Sequence, residues 1–362
     1  MRTIRITGTG SALPGRIVTN KELEQLVETS DEWIRERTGI AERHVSVGET
    51  VVTLASEAAR KALEQAGKRA EEIDLILVAT CSPEQYLPCC ACQVQAAVGA
   101  VNALAFDVNA ACSGFLFALN TADAYLRTGL AENALVIGSE VLSKLVDWTD
   151  RGSCILFGDG AGAVVVERCR TESRAVEYSN ALPETEKGMQ ETAEEKRIPA
   201  AGILGRALHS DGTGGGVLQC GARELTTPYA RTSAAKTDQK QQTDDREHYI
   251  QMDGQEVYRF ATRRVPQCIE EALADAGLAV PDIDMFVLHQ ANARIIDAVA
   301  KRLHADREKF PTNLERVGNL SSASIPVLLD ELNRKGKLHR GDRIVLAGFG
   351  AGLTIGACVM TW

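Results

Sequence analysis

A cysteine, a histidine and an asparagine stand out in this chain of 362 residues as a set that could carry out acyl chemistry. They are Cys112 in NAACSGF, His289 in FVLHQAN and Asn319 in GNLSSAS. A thiolate is a nucleophile, an imidazole can act as a base, and an amide can donate hydrogen bonds. Taken singly, each residue has a structural explanation, as a buried thiol, a hydrogen-bonded histidine or a helix cap. Taken together, they favour a catalytic interpretation.

The chain contains an internal repeat that brings these three residues into relation. Residues 62–80 align without a gap on residues 272–290, at an offset of 210 residues and with six identical pairs. Near the same offset Cys112 falls close to Asn319, and each stands just ahead of a helical pattern. His289 ends a strand of the second copy, where ligands of α/β sheets gather. The repeat therefore predicts an active site on a pseudo-two-fold axis.

Short apolar runs alternate with helical patterns in both copies, which is typical of layered α/β proteins. Two such units predict a five-layered arrangement with helices between and outside two sheets. The predicted strands are 74–80, 103–108, 133–140, 162–167, 284–290 and 342–350, and the predicted helices are 52–66, 114–128, 292–303 and 324–335.

Composition sets limits on the location and partners of the chain. The net charge of −9 argues against nucleic-acid binding, and no apolar run approaches the ~20 residues of a membrane-spanning helix. The N-terminal MRTIRITGTG has no signal-peptide pattern, so we expect a cytoplasmic protein with reduced thiols. Two basic patches, 258–264 and 293–303, lie on predicted helices.

Other candidate motifs are weaker. We interpret Cys89, Cys90 and Cys92 in PCCACQ as small buried side chains, because no second ligand pair completes a zinc site. The glycine-rich segments 8–15, 157–165 and 211–216 do not open helices as a dinucleotide fingerprint requires. We interpret these segments as tight turns and expect neither an NAD nor an ATP site.

Ordered motifs over nearly the whole chain resemble β-ketoacyl-acyl-carrier-protein synthase III of the thiolase-like condensing enzymes. The motifs are GTGSALP, TSDEWIRERTGI, FDVNAACSGF, TDRGSCILFGDGAGAV, ALHSDG, MDGQEVYRFA, HQANARII, GNLSSASIP and GFGAGLT. The resemblance implies a thiolase-like fold of two α/β halves, 1–170 with the nucleophile and 171–362 with the histidine and asparagine. Polar insertions are expected near 181–202 and 231–247.

The resemblance also implies a reaction and its residues. An acyl-CoA primer, usually acetyl-CoA, loads onto Cys112, and malonyl-acyl-carrier-protein is decarboxylated and attacks it. The backbone N–H groups of Cys112 and Ala351 would form the oxyanion hole, and His289 and Asn319 would stabilise the enolate. No metal or redox cofactor is implied.

Substrate and partner contacts follow from the same resemblance. Coenzyme A contacts fall on Trp33, Arg37, Arg151, Met252, Gly254 and Asn292. The resemblance implies that the acidic acyl carrier protein docks on Arg259, Arg294, Lys301 and Arg302. It also implies a homodimer. Leu87 stands where several relatives carry a Phe that reaches into the partner subunit's acyl pocket, so a longer or branched primer is a further expectation.

Three other functions remain open from the sequence. A related thiolase-like acyltransferase of quinolone or polyketide type shares these motifs. A papain-like cysteine hydrolase has the same residue order, but the C-G-[SA]-C-[WY] context is absent around Cys112. A non-catalytic acyl-binding protein on the same fold is the third, and the intact set of three residues argues against it.

Overall fold

The computed structural model describes residues 2–170, 202–221 and 248–362. The predicted insertion at 231–247 lies outside these residues. So does the insertion at 181–202, except for Gly202, which begins a strand. The junction between the two halves that the resemblance implies, at residue 170, falls at the edge of the first gap.

The first described segment holds one large sheet and its helices. Its elements are β1 (Arg2–Ala12), β2 (Ile17–Thr19), α1 (Asn20–Leu23), α2 (Asp31–Thr38), β3 (Glu42–His44), α3 (Val51–Ala66), β4 (Leu75–Ala79), α4 (Cys90–Val98), β5 (Leu104–Val108), α5 (Gly114–Thr128), β6 (Asn133–Val141), α6 (Arg151–Cys154) and β7 (Asp159–Arg170).

The remaining segments hold the second large sheet. Their elements are β8 (Gly202–Ser210), β9 (Leu218–Gln219), β10 (Gln251–Met252), α7 (Gly254–Ala276), β11 (Met285–Leu288), α8 (Ala293–Arg302), α9 (Leu314–Val317), α10 (Ser324–Arg334), β12 (Arg343–Gly350) and β13 (Thr354–Thr361). Every strand and helix predicted from the sequence is confirmed, whereas β8, β13, α2 and α4 were not anticipated.

The two sheets have matching strand orders. The first runs β1-β7-β6-β4-β5 and the second β8-β13-β12-β11 when read in the same sense. In each sheet one corresponding pair is parallel, β4 with β6 and β11 with β12. The next corresponding pair, β6 with β7 and β12 with β13, is antiparallel. Within the described residues, β5 is the one strand of the first sheet without a counterpart in the second.

Five layers result, as predicted. Helices α3 and α4 cover the outer face of the first sheet, and α7 and α8 cover that of the second. Between the sheets lie α5 and α10, whose Phe115, Leu119, Leu328 and Leu329 are fully or almost fully buried against strands of both. The segments that precede these two central helices therefore meet inside the molecule, at the level where Cys112 and Asn319 lie.

Two glycines show how closely the outer helices pack. A Cβ on Gly8 would lie 2.2 Å from the Ala62 carbonyl oxygen in α3, and one on Gly205 would lie 2.3 Å from that of Ala272 in α7. The interpretation of residues 8–15 as a tight turn is wrong for residues 8–12, which belong to β1. The glycines of β1 allow the sheet to pack closely against α3 and do not form a turn.

Candidate active site

Cys112 lies in a short 3-10 turn, Ala111–Ser113, that runs directly into α5. Ala111 has a φ of 47°, an uncommon conformation for a residue with a side chain, and such strain concentrates at functional sites. Gly350 at the end of β12 packs against this turn, because a Cβ there would lie 2.7 Å from the Cys112 nitrogen. The turn holds the thiol at an N-terminus whose N–H groups point away from the helix.

Burial opposes ionisation of this thiol. Removal from water raises the pKa of Cys112 to about 11, although the Ser321 side chain and the backbone N–H of Cys112 itself both favour the thiolate. A helix N-terminus favours a thiolate, but at Cys112 burial outweighs this effect. A base must accept the thiol proton at neutral pH for the sulfur to attack quickly.

Asn319 lies just before the corresponding 3-10 turn of the second half, Ser321–Ala323. Its Oδ1 accepts a hydrogen bond from the Ser321 backbone N–H at 2.8 Å, so its amide nitrogen is the atom free to donate elsewhere. Its backbone bridges to the first half, since its N–H donates to the Leu156 carbonyl and its own carbonyl accepts from the Gly158 N–H. These bonds fix the amide as a hydrogen-bond donor.

The repeat is clearer in three dimensions than in the sequence. Asn109 and Asn319 are 210 residues apart, and each accepts through Oδ1 from the backbone N–H two residues on. Ala111 and Ser321 share the same offset and both have a positive φ. Cys112 is thus the strict counterpart of Ser322, and the sequence had aligned it only approximately, near Asn319.

His289 follows β11 and is buried, with an exposed fraction of 3%. Its ring lies edge-on to Phe349, with 5.6 Å between ring centroids. Burial lowers the pKa of His289 to about 3, so the ring is neutral at pH 7. Nδ1 is buried without a hydrogen-bond partner, which favours placing the proton on Nε2. A neutral imidazole of this kind is a hydrogen-bond donor rather than a cation.

One cavity of about 1250 Å³ brings the predicted set together. Cys112, His289 and Asn319 line it in common with all six residues predicted to contact coenzyme A. The guanidinium carbons of Arg37 and Arg151 lie 4.9 and 4.8 Å from the centroid of the Trp33 indole ring. An aromatic base that stacks on this indole would take the place of one guanidinium, while the other remained available for phosphate.

A second cavity of about 450 Å³ extends from Cys112 in another direction. Its wall includes Ala351, whose backbone N–H is predicted to belong to the oxyanion hole, together with Leu142, Leu145 and Ile250. The apolar side chains suit a short acyl chain attached to Cys112.

The remaining predicted residues lie outside this centre. Leu87 is 85% exposed and lines neither cavity of its own chain, so any contact with an acyl group needs a second copy. Arg259 and Arg294 line the larger cavity, and Arg294 also contacts the face of Tyr258. Lys301 and Arg302 are exposed at the end of α8.

The sequence analysis missed Glu140, Ser321 and Ser322. Glu140 has no exposed surface and accepts hydrogen bonds beside Cys112 from both serines and from the segment after β4. The only signal in the sequence was a carboxylate that ends the apolar strand NALVIGSE. The cysteine cluster is also more varied than predicted, since Cys90 is buried, Cys89 is half-buried and Cys92 is exposed.

Two further structural findings concern the described part of the chain. No three His, Cys, Asp or Glu side chains there are grouped so as to hold a metal ion. None of its helices is long and apolar enough to cross a bilayer.

The fold and the site define a thiolase-like condensing enzyme. Residues 106–181 match the family model 3-oxoacyl-[acyl-carrier-protein] synthase III, and residues 273–362 match its C-terminal model. The β-ketoacyl-[acyl-carrier-protein] synthase III of Clostridium acetobutylicum is 44% identical over 362 residues, covering 100% of this chain and 99% of that protein.

Solved structures agree. The 3-oxoacyl-[acyl-carrier-protein] synthase III of Aquifex aeolicus superposes with a TM-score of 0.83 at 38% identity, covering 99% of this chain and 100% of that one. The priming β-ketosynthase of the R1128 polyketide pathway gives 0.82 at 33% identity, with coverages of 99% and 96%. The chain belongs to the β-ketoacyl-acyl-carrier-protein synthase III family, the condensing acyltransferases that initiate fatty acid synthesis.

Proposed function

We propose that this chain condenses an acyl-CoA primer, most simply acetyl-CoA, with malonyl-acyl-carrier-protein through an acyl-Cys112 intermediate. The Cys112 sulfur attacks the thioester carbonyl, and the backbone N–H groups of Cys112 and Ala351 bind the oxyanion. Coenzyme A leaves and the acyl chain occupies the smaller cavity. All bond changes are polar, so the chemistry calls for no redox cofactor.

In the second half-reaction the malonyl group loses CO2 and the resulting enolate attacks acyl-Cys112. Neutral His289 and the Asn319 amide nitrogen would donate hydrogen bonds to the enolate oxygen. A neutral imidazole suits this step, because it stabilises developing negative charge without first having to lose a proton. The product is a 3-oxoacyl-acyl-carrier-protein.

The observation that carries the proposal is the cavity of about 1250 Å³. Cys112 lines it together with His289 and Asn319 from a distant segment and with the residues predicted to contact coenzyme A. The test is incubation with acetyl-CoA and malonyl-acyl-carrier-protein, with the mass of the carrier as readout. Acetoacetyl carrier is expected from the wild type and not from Cys112→Ala. Absence of any 3-oxoacyl product with acetyl, branched or medium-chain primers would overturn the proposal.

The coenzyme A moiety would run from Cys112 along the larger cavity to Trp33, Arg37 and Arg151. Met252, Gly254 and Asn292 would flank the pantetheine arm. The Asn292 amide nitrogen donates to the Arg37 carbonyl and its oxygen caps α8, so this side chain ties two walls of the approach together.

The acyl carrier protein would dock on the basic residues at and beyond the mouth, namely Arg259, Arg294, Lys301 and Arg302. Charge complementarity supports these four residues, since Arg259 and Arg294 line the larger cavity and Lys301 and Arg302 are exposed at the end of α8, in a protein whose net charge is −9. We place the reaction in the cytoplasm, where ten free cysteines would stay reduced.

We further propose a homodimer formed through β5. This strand is the edge of the first sheet, and exposed apolar side chains accompany it, including Leu104, Val101 and Tyr86. An unpaired edge of this kind templates pairing with another chain. Sedimentation should give a dimer for the wild type and a monomer for Leu104→Lys. A monomeric wild type at micromolar concentration would contradict this assembly.

In such a dimer, Leu87 would close the partner's smaller cavity. A leucine there leaves more room than a phenylalanine, so branched and medium-chain primers should load alongside acetyl-CoA. Leu87→Phe should narrow that range toward acetyl-CoA. A wide preference for acetyl-CoA in the wild type would contradict the proposal.

The likeness to a priming ketosynthase of a polyketide pathway supports one alternative, in which the same chemistry serves secondary metabolism. The carrier protein distinguishes them. Efficient condensation with a fatty acid carrier favours primary metabolism, whereas reaction only with a polyketide carrier favours the alternative.

A further inference from the structure

A buried carboxylate stands directly behind the nucleophile. Glu140, at the end of β6, has no exposed surface, yet it is surrounded by hydrogen-bond donors. Ser82 Oγ donates at 2.5 Å, the Cys81 backbone N–H and Thr80 Oγ1 at 3.1 Å each, Ser322 Oγ at 2.8 Å and Ser321 Oγ at 3.1 Å. Burying a charge is costly, so such a site calls for an explanation.

Ser321 links this carboxylate to Cys112. Its hydroxyl lies 3.1 Å from Glu140 Oε1, and Ser321 and Cys112 line the same cavity. The Ser321 side chain also interacts with the Cys112 thiol and lowers its pKa against the effect of burial. Ser321, hydrogen-bonded to the carboxylate and lining the same cavity as Cys112, is therefore placed to pass a proton between the sulfur and Glu140.

The surroundings of Glu140 suit either protonation state. Ser322 Oγ lies 2.8 Å from Glu140 Oε1 and 2.8 Å from the Ala79 carbonyl oxygen. A hydroxyl has one proton to donate, so it can point at the carboxylate or turn to Ala79 and accept from a protonated Oε1. Burial raises the pKa of Glu140, which makes it a better proton acceptor than an exposed carboxylate.

The titratable groups placed against Glu140 are two thiols from different segments. Cys81, after β4, has its sulfur 3.6 Å from both carboxylate oxygens, and burial together with this charge raises the pKa of Cys81 well above its usual value. The Glu140 charge also raises the pKa of Cys112, before α5, while the Ser321 side chain lowers it. Cys112 lines both cavities, whereas Cys81 lines only the smaller one, so Cys112 is the thiol that an incoming thioester reaches.

We propose that Glu140, acting through the Ser321 hydroxyl, holds the proton of Cys112 while the enzyme is acylated. This inference rests on the proposed function. Cys112 gives its proton to Ser321 Oγ as Ser321 gives its own to Glu140, and the sulfur electron pair forms the bond to the acyl carbon. The carbon–sulfur bond to coenzyme A breaks, and the departing thiolate takes a proton from water.

The same route works in reverse during condensation. When the enolate attacks acyl-Cys112, the bond between the acyl carbon and sulfur breaks and Cys112 leaves as a thiolate. Glu140 then returns its proton through Ser321. One proton is taken up from solvent over the cycle, as the loss of CO2 from a malonyl carboxylate requires. Glu140 is a positioning residue that acts through another side chain and does not touch the substrate.

The test separates the two half-reactions in Glu140→Gln and Ser321→Ala. Acylation of Cys112 by acetyl-CoA is followed by rapid quench and intact mass between pH 6 and pH 9, and decarboxylation of malonyl-acyl-carrier-protein is followed separately. In both variants we expect acylation at pH 7 to slow by about 100-fold and to rise steeply with pH, the loss typical of a missing general base. Decarboxylation, which needs no proton from Cys112, should stay within about threefold. Glu140→Asp, which keeps a carboxylate, should recover at least about tenfold over Glu140→Gln.

Other results would overturn the relay. Wild-type acylation rates and pH profile in either variant would exclude it. Equal losses in both half-reactions would assign Glu140 a purely structural role. If Glu140→Gln does not fold, Ser321→Ala still tests the relay, because this variant leaves the other hydrogen-bond donors to Glu140 in place. A wild type that forms no acyl adduct would instead refute the proposed function.

Discussion

At the residue scale, the chemistry depends on groups whose pKa values the fold shifts away from their usual range. Burial raises the pKa of Cys112 to about 11 and lowers that of His289 to about 3. The residue types of Cys112, His289 and Asn319 could be predicted from the sequence. Their protonation could not, because it depends on burial. Glu140 was missed because its hydrogen-bond donors come from two segments far from it in the chain, 80–82 and 321–322.

Asn319→Asp should separate the two half-reactions. The Asn319 oxygen already accepts from Ser321, so an aspartate would keep that bond and replace the donor by a second, negatively charged oxygen facing the enolate. Acetylation of Cys112 should stay within about threefold of wild type, whereas condensation should fall by more than about 100-fold, as for loss of an oxyanion donor. Stopped-flow and intact-mass assays measure the two rates, and an equal effect on both would contradict this role.

His289 should make the folded protein sensitive to acid. The unfolded histidine titrates near 6.5 and the folded one near 3, so the folded state binds fewer protons below pH 6.5. The stability that neutral His289 contributes is complete above that pH and is lost as the pH falls toward 3. Between pH 7 and pH 5 the free energy of unfolding, measured in urea, should fall by about 2 kcal/mol more in the wild type than in His289→Asn. Equal losses would contradict the lowered pKa.

At the element scale, the sequence predicted the repeating α/β pattern well because buried parallel strands are continuous apolar runs. It missed β8 and β13, each of which contains glycine. Gly8 and Gly205 are in fact equivalent contacts, each against the alanine face of an outer helix. Such contacts depend on the distance between a sheet and a helix, which no local pattern encodes.

Gly8→Ala and Gly205→Ala should therefore both destabilise the fold. The added Cβ would meet backbone atoms at 2.2 and 2.3 Å, so the helix must shift, at a cost of about 1–3 kcal/mol. Gly212→Ala is the matched control, because nothing lies within 4 Å of its added Cβ. Chemical denaturation measures all three, and unfolding free energies within about 0.5 kcal/mol of wild type for the two strand variants would refute the close packing.

At the scale of the whole molecule, the two halves create a site that neither contains alone. The first supplies Cys112 and the second supplies His289 and Asn319, and the approach to them opens among cationic side chains. A basic mouth on an acidic protein is complementary in charge to an acidic carrier protein. The sequence predicted these basic patches on helices, but not which of them would lie at the mouth.

Reversal of two of these charges should weaken binding of the acyl carrier protein without affecting the reaction with the acyl-CoA primer. Lys301→Glu/Arg302→Glu should raise KM for malonyl-acyl-carrier-protein by about tenfold at low salt, with a smaller effect at high salt because exposed charges are screened. Acylation by acetyl-CoA should be unchanged. Lys337→Glu, an exposed charge beyond the far end of α10, is the control. A KM that matches this control would place the carrier elsewhere.

The central claim is that Cys112 carries the acyl group, and intact-protein mass after incubation with acetyl-CoA tests it most directly. We predict one acetyl adduct, mapped by peptide analysis to Cys112 rather than to any of the other nine cysteines, and discharged when malonyl-acyl-carrier-protein is added. Cys112→Ala should take up no label. An adduct on another cysteine, one that persists through the malonyl chase, or none with any acyl-CoA would contradict this account.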